Sequence, residues 1–235
     1  MIASAKSDRT REKIEKELGI HKADTNVQVV EFADVVFLAV KPQFLEGVLD
    51  EIKSHVRQEQ IFISIAPGKT LKWLAEHLGE KTKIVRTMPN TPAMVGEGMT
   101  GLCVNSLVTD EDTELAVKLC NSFGKTEIIP ENLMDVVTGV SGSSPAYVFM
   151  FLEAMADAAV ADGMPRAQAY KFAAQAVLGS AKLMLETGKH PGELKDMVCS
   201  PAGTTIQAVR ILEEKGLRSA VIEAQTACVK KSRGI

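Results

Sequence analysis

The sequence predicts an open α/β sheet over residues 1–131 followed by an all-helical domain over residues 132–235. Three observations carry this. D-V-V-F-L-A-V (34–40) and Q-I-F-I-S-I-A (60–66) are continuous apolar runs of strand length, suited to strands covered on both faces of a parallel sheet. Helical segments alternate with such runs as far as residue 129, the β-α-β-α order of a doubly wound sheet. From Leu133 onward only helical patterns occur, two of them apolar nearly all round.

Taken in order, Met1–Ser4 is a short apolar strand. Ser7-Asp8-Arg9-Thr10 leads a charged helix that runs to Leu18 and stops at Gly19. The strand over 34–40 ends at Lys41-Pro42, and Gln43–Val56 forms an amphipathic helix. The strand over 60–66 stops at Pro67-Gly68, and Thr70 caps a helix that ends before Gly79. Lys83–Met88 and Gly98–Asn105 are strands. Thr109 with Asp112 three residues on approaches a capping box, and Lys125–Ile129 is a last short strand.

The stretch Thr138–Ala161 joins the halves. A Gly/Ser loop, Gly139–Ser144, is expected ahead of Pro145, with Ser143 or Ser144 as the cap of the following helix. Such a loop would present free N–H groups to an anion. Pro145 to about Ala161 and Pro165 to about Glu186 are greasy helices, predicted to be buried against a second subunit. Helices follow over His190–Val198, Thr205–Lys215 and Arg218–Lys231, with a tight loop at Cys199–Thr205.

Composition narrows the function. With 46% hydrophobic residues, 24% charged residues and a net charge of −3, the chain is that of a soluble globular protein with no basic excess for nucleic acid. Cys103, Cys120, Cys199 and Cys228 have no short spacing and are expected to be buried reduced thiols of a cytoplasmic protein. The four histidines share no ligand spacing, so no metal site is expected. No signal peptide is visible. The apolar helix carries Glu153 and Asp157 and is shorter than the ~20 residues of a membrane span.

Open parallel sheets bind ligands beyond the carboxyl ends of their strands. Three loops leave a strand there: Ala39-Val40-Lys41-Pro42, Ala66-Pro67-Gly68 and Met88-Pro89-Asn90-Thr91-Pro92. Any one could be an ordinary turn; three together favour a nucleotide cofactor. Ser7 and Arg9 sit where such folds read the ribose, and a hydroxyl with a guanidinium favours a 2′-phosphate, hence NADP over NAD. Ser200–Thr205 is either a plain capping loop or an anion pocket of backbone N–H groups. No Ser-His-Asp grouping is present, so the chemistry expected is orientation plus hydride transfer.

Six segments resemble one family. F-L-A-V-K-P (37–42), R-T-M-P-N-T-P (86–92), T-G-V-S-G-S-S-P-A-Y-V-F (138–149), G-M-P-R-A-Q-A-Y (163–170), H-P-G-E-L-K-D-M-V-C-S-P-A-G-T-T-I (190–206) and V-R-I-L-E-E-K-G-L-R (209–218) are similar to pyrroline-5-carboxylate reductase, the last enzyme of proline biosynthesis. The match runs in order from Met1 almost to the end.

The resemblance implies a Rossmann-type NAD(P)-binding domain at 1–131 and a helical substrate and dimerisation domain at 132–235. It implies a cytoplasmic homodimer, with decamers in several members, that reduces pyrroline-5-carboxylate to L-proline with NADPH or NADH. Substrate is expected at Val140, Ser141, Gly142, Ser143, Ser200, Gly203, Thr204 and Thr205, with Thr205 at the ring nitrogen. Cofactor is expected at Ser7, Arg9, Asn26, Ala39, Val40, Lys41, Pro42, Ala66, Pro67, Gly68, Met88 and Asn90.

Three departures qualify the match. The family's opening strand, Gly-rich turn and helix are not in front of Met1, so the Rossmann-type domain is expected to be incomplete. Ala66-Pro67-Gly68-Lys69 stands where A-A-G-V is common. Ala202 replaces a usual Gly, at a cost of about 1 kcal/mol if the position needs positive φ. The alternative reading is a catalytically impaired remnant that serves only as a helical dimerisation or ligand-binding module. A β-hydroxyacid dehydrogenase would carry G-x-x-x-N-x-x-K, which is not found.

Overall fold

The computed structural model describes residues 1–234 and divides into two compact units: Met1–Gly142 with the C-terminal residues from Val229, and Ser143–Cys228. The first unit contains β1 (Ile2–Ser4), α1 (Asp8–Leu18), β2 (His21–Ala23), α2 (Asn26–Phe32), β3 (Val35–Leu38), α3 (Pro42–Ile52), β4 (Ile61–Ser64) and α4 (Leu71–Leu78). It continues with β5 (Lys83–Met88), β6 (Gly98–Val104), α5 (Asp110–Cys120), β7 (Gly124–Ile128) and α6 (Met134–Val137). β2 and α2 escape the sequence reading: His-Lys-Ala has no apolar alternation. The capping box of Thr25 and Gln28 that starts α2 precedes only a 7-residue helix.

β1 and β2 pair in a separate two-stranded parallel sheet, and the main sheet has the order β3-β4-β5-β6-β7. β3, β4 and β5 are parallel, as expected. β6 is antiparallel to β5, and β7 is parallel to β6, so the sheet is mixed. The reason is the connection: residues 89–97 hold only a 3₁₀ turn, too short for the crossover of about a dozen residues that parallel pairing needs.

β3 and β4 are apolar or nearly so along their length because both faces of the sheet are covered there. Val36, Leu38, Phe62 and Ile84 pack against Leu45, Leu49 and Ile52 of α3 and Leu74 and Leu78 of α4. On the other face Ile61, Ile63, Val85 and Leu102 meet Ala116 and Cys120 of α5. Burial pushes the thiols of Cys103 and Cys120 up to about 12 and about 11. Cys199 and Cys228 are only half-buried, contrary to the expectation for all four. Arg86 of β5 is buried and pairs with Glu131 at 2.9 Å, and the same Glu131 oxygen accepts from the Leu71 N–H at the start of α4 at 2.7 Å.

The second unit is helical: α7 (Ser144–Ala161), α8 (Arg166–Thr187), α9 (Pro191–Met197), α10 (Thr204–Glu214) and α11 (Leu217–Ser232), the last reaching into the first unit. Within the single chain α7 and α8 bury only Ala156, Ala169 and Ala173. Phe149, Met150 and Phe172 stay 64%, 70% and 67% exposed. An apolar surface of this extent marks an interaction face.

The expected Gly139–Ser144 loop is not a loop. Thr138–Gly142 is a π-helical turn running from α6, with a single bend at Ser143 before α7. Its N–H groups are engaged in helix bonding, so the open anion nest read from the glycines and serines is absent. The helical run over Glu131–Ala161 is 31 residues, long and apolar enough by length and composition to cross a membrane. Length therefore does not exclude a span, as the shorter predicted helix had suggested.

Candidate functional site

In the first unit the cofactor-assigned residues lie beyond the carboxyl ends of β1, β2, β3, β4 and β5. Ser7 caps α1: its hydroxyl accepts from the Thr10 N–H at 3.3 Å. Asp8 is paired with Arg11, which leaves the Arg9 guanidinium exposed beside Ser7. Asn26, the first residue of α2, is held at both ends of its amide: Ser4 donates to it at 2.6 Å, and it donates to Glu51 at 2.6 Å.

Ala39–Pro42 lead into α3, where Lys41 is the cap residue, Pro42 follows, and no side chain caps the first-turn amides. Pro42 has no N–H and the Phe44 N–H bonds the Lys41 carbonyl at 2.9 Å, which leaves the Gln43 amide at the positive end of the helix dipole. Lys6, which the sequence reading passed over, lies over the Phe44 ring at 5.0 Å and so ties the Ser7–Arg9 corner to the first turn of α3. Ala66 is buried, and Gly68 takes φ 74° with open space where a Cβ would be. Exposed cationic and hydroxyl groups, a free amide at the start of α3 and open space at Gly68 suit a phosphorylated dinucleotide.

Gly96-Glu97-Gly98-Met99-Thr100-Gly101 satisfies the dinucleotide spacing G-x-G-x-x-G, a match not noticed in the sequence. It opens the strand β6, with no helix N-terminus to face a phosphate. Its glycines serve packing: a Cβ on Gly98 would lie 2.8 Å from the Phe123 carbonyl oxygen, and one on Gly101 3.1 Å from Val137.

Of the substrate-assigned residues, Val140, Ser141 and Gly142 belong to the first unit. The Ser141 hydroxyl donates to the Val137 carbonyl at 3.2 Å, and Asn90 donates to the Ser141 carbonyl at 3.1 Å. The rest belong to the second unit. Ser143 stands at the start of α7, yet its hydroxyl caps nothing; it lies 3.1 Å from the Cys228 sulfur of α11. Tyr147 joins this group. Partial burial first, then its hydrogen bond to Cys228, raises its pKa.

Ser200, Gly203, Thr204 and Thr205 converge on the start of α10. Ser200–Gly203 is a turn closed by the Gly203 N–H to the Ser200 carbonyl at 3.0 Å, with Pro201 in its second position and Ala202 at φ 58° in its third. That is the type II pattern, whose third position favours Gly. Ala202 is the non-glycine residue with positive φ among those described, so the strain read from the sequence is present. Gly203 caps α10 without a side chain, leaving the amides of 204–206 uncapped. A Cβ there would fall 2.4 Å from the Ser200 hydroxyl oxygen. Gly203 thus lets a hydroxyl and a helix N-terminus share one anion-sized spot.

Residues 131–235 match the family described as pyrroline-5-carboxylate reductase dimerisation, and residues 1–68 match NADP oxidoreductase, coenzyme F420-dependent. The chain is 60% identical over 216 residues to pyrroline-5-carboxylate reductase of Escherichia coli, covering 92% of this chain and 80% of that one. To the enzyme of Methanosarcina acetivorans it is 46% identical, covering 94% and 82%. A solved 1-pyrroline-5-carboxylate reductase from Streptococcus pyogenes superposes with a TM-score of 0.91 at 35% identity, covering 100% of this chain and 89% of that one. The Plasmodium falciparum pyrroline carboxylate reductase with NADP bound gives 0.90 at 31%, covering 99% and 86%.

Proposed function

The chain belongs to the pyrroline-5-carboxylate reductase family, and we propose that the residues gathered above carry out its reaction, reduction of 1-pyrroline-5-carboxylate to L-proline with NAD(P)H, the last step of proline biosynthesis. The protein is an NAD(P)H-dependent oxidoreductase. The observation that carries the residue assignment is the start of α10. There the Ser200 hydroxyl and uncapped amides share one spot through the bare Cα of Gly203.

The imine carries one carboxylate and one ring nitrogen. Ser200 and the amides of Thr204–Ile206 take the carboxylate, which the helix dipole favours. Val140–Ser143 line the ring. When bound, the nicotinamide supplies the hydride that goes to C5. As that carbon is reduced the nitrogen gains basicity, and the Thr205 hydroxyl hydrogen-bonds it or relays its proton. The adenosine end belongs to Ser7 and Arg9, with Arg9 toward a 2′-phosphate and Asn26 near the ribose. Ala39–Pro42 and Ala66–Gly68 line the dinucleotide, and Met88 bounds it at the end of β5, an edge that Asn90, with both ends of its amide bonded to Ser141 and Met99, supports from within the protein. The boundary between the cofactor domain and the substrate and dimerisation domain is at residues 131 and 132.

The chain works as an oligomer. The exposed apolar faces of α7 and α8 support a homodimer through them, with a decamer as its further assembly. The acids Glu131, Asp135, Glu153 and Asp157 along the 131–161 run favour that interface over a bilayer. The compartment we assign is the cytoplasm.

Thr205→Ala tests the chemistry. It is expected to lower kcat by roughly 10- to 100-fold, about 1.4–2.7 kcal/mol of barrier, with the fold intact. Near-normal kcat would reduce Thr205 to part of a helix start.

A further inference from the structure

Among the side chains through which the end of β5 meets the π-helical turn is Asn90. Its amide donates to the Ser141 carbonyl at 3.1 Å, and its oxygen accepts the Met99 N–H at 2.8 Å, so both polar ends are used inside the protein. Two residues earlier Met88 closes on the same turn: a Cβ on Gly142 would lie 2.7 Å from the Met88 terminal methyl. Beside the turn runs an apolar pocket of about 240 Å³, open to solvent, whose walls include Met99, Val137, Val140 and Ser141, so both partners of Asn90 are on its wall. The two hydrogen bonds of Asn90 add a fixed register to the packing that Met88 supplies.

We propose that Asn90 is a positioning residue that registers the substrate turn 140–142 against the cofactor end of β5. This rests on the reading that 140–142 meet the substrate and that the β5 end meets the dinucleotide. The expected consequence is a link between the two halves of the reaction. Where Asn90 holds Ser141, the imine is presented at the distance at which hydride transfer works, and a displacement of about 1 Å costs on the order of 100-fold in rate.

Asn90→Asp keeps the acceptor for the Met99 N–H and turns the donor toward Ser141 into a repelling oxygen. Hydrogen exchange of the ligand-free protein is expected to be faster at 139–142. With NADPH saturating, kcat/KM for pyrroline-5-carboxylate is expected to fall about 10- to 100-fold while the NADPH dissociation constant stays unchanged. A parallel loss of NADPH affinity would overturn the proposal, since Asn90 would then be a cofactor contact. Unchanged exchange and unchanged kcat/KM would overturn it too. If the wild-type chain shows no turnover, the reaction reading fails, and the exchange comparison still decides the clamp. Should Asn90→Asp not fold, Asn90→Ala removes both hydrogen bonds without adding a charge. It is expected to speed exchange at 139–142 and to lower kcat/KM in the same way, and wild-type values of both would overturn the proposal.

Discussion

Ala202→Gly should make this protein more stable. Ala202 sits at φ 58° in the turn that leads to the start of α10. For a residue with a Cβ this region costs roughly 1–2 kcal/mol, because the Cβ crowds the following carbonyl. Glycine removes that cost but gives the unfolded chain more freedom, worth about 0.4–1 kcal/mol in the opposite direction. The net is a gain of about 0.5–1 kcal/mol, or roughly 1–4 °C in Tm for a chain of this size. The turn's hydrogen bond, Gly203 N–H to Ser200 at 3.0 Å, is untouched by the change. The assay is denaturant unfolding of both proteins at one fixed concentration, because assembly couples apparent stability to concentration. Ala202→Val serves as the opposite control and should be less stable than wild type. If Ala202→Gly lost 0.5 kcal/mol or more, roughly the unfolded-state term acting alone, the strain assigned to this turn would be wrong.

Other perturbations have equally definite outcomes. Glu131→Ala leaves the buried Arg86 charge and the Leu71 N–H without their acceptor, and is expected to cost about 3 kcal/mol in unfolding experiments. Burial works against the Asp112 carboxylate, but hydrogen bonds from Lys83 and from Thr109 outweigh it and hold its pKa below the usual value. The folded pKa being the lower one, this contribution is present above the unfolded carboxylate value of about 3.9 and is lost as pH falls below it. Asp112→Asn should therefore be less stable than wild type at neutral pH and converge with it in acid. Replacing Ser7 and Arg9 together should weaken NADPH more than NADH in binding titrations; equal losses would remove them from the 2′-phosphate.

What was legible in the sequence follows physical signals of different range. β3 and β4 stood out because both-face burial makes each a continuous apolar run, and α4 because Thr70 and Gly79 bracket it. The reversal of β6 was hidden, since strand direction depends on the length of residues 89–97 and not on β6 itself. Gly139, Ser141 and Gly142 look like a loop by composition. They form a π turn because tertiary contacts, the Asn90 bond among them, override local preference. Ala202 was suspect from sequence alone, but only the backbone shows its positive φ. Asn90 was marked for its place in the third loop, while its engagement with Ser141 and Met99 joins positions far apart in the chain and leaves no local trace. The uncovered faces of α7 and α8 carry the reverse lesson: their near-continuous apolar content foretold a partner that a single chain does not supply.

The central claim, that this chain reduces the cyclic imine, is tested most directly by giving the folded 235-residue protein NADPH and pyrroline-5-carboxylate. Nucleotide oxidation is followed and the product identified by mass spectrometry. The account predicts imine-dependent oxidation with one L-proline formed per nucleotide consumed. A folded, assembled protein that bound L-proline yet oxidised neither NADPH nor NADH in the presence of the imine would contradict it.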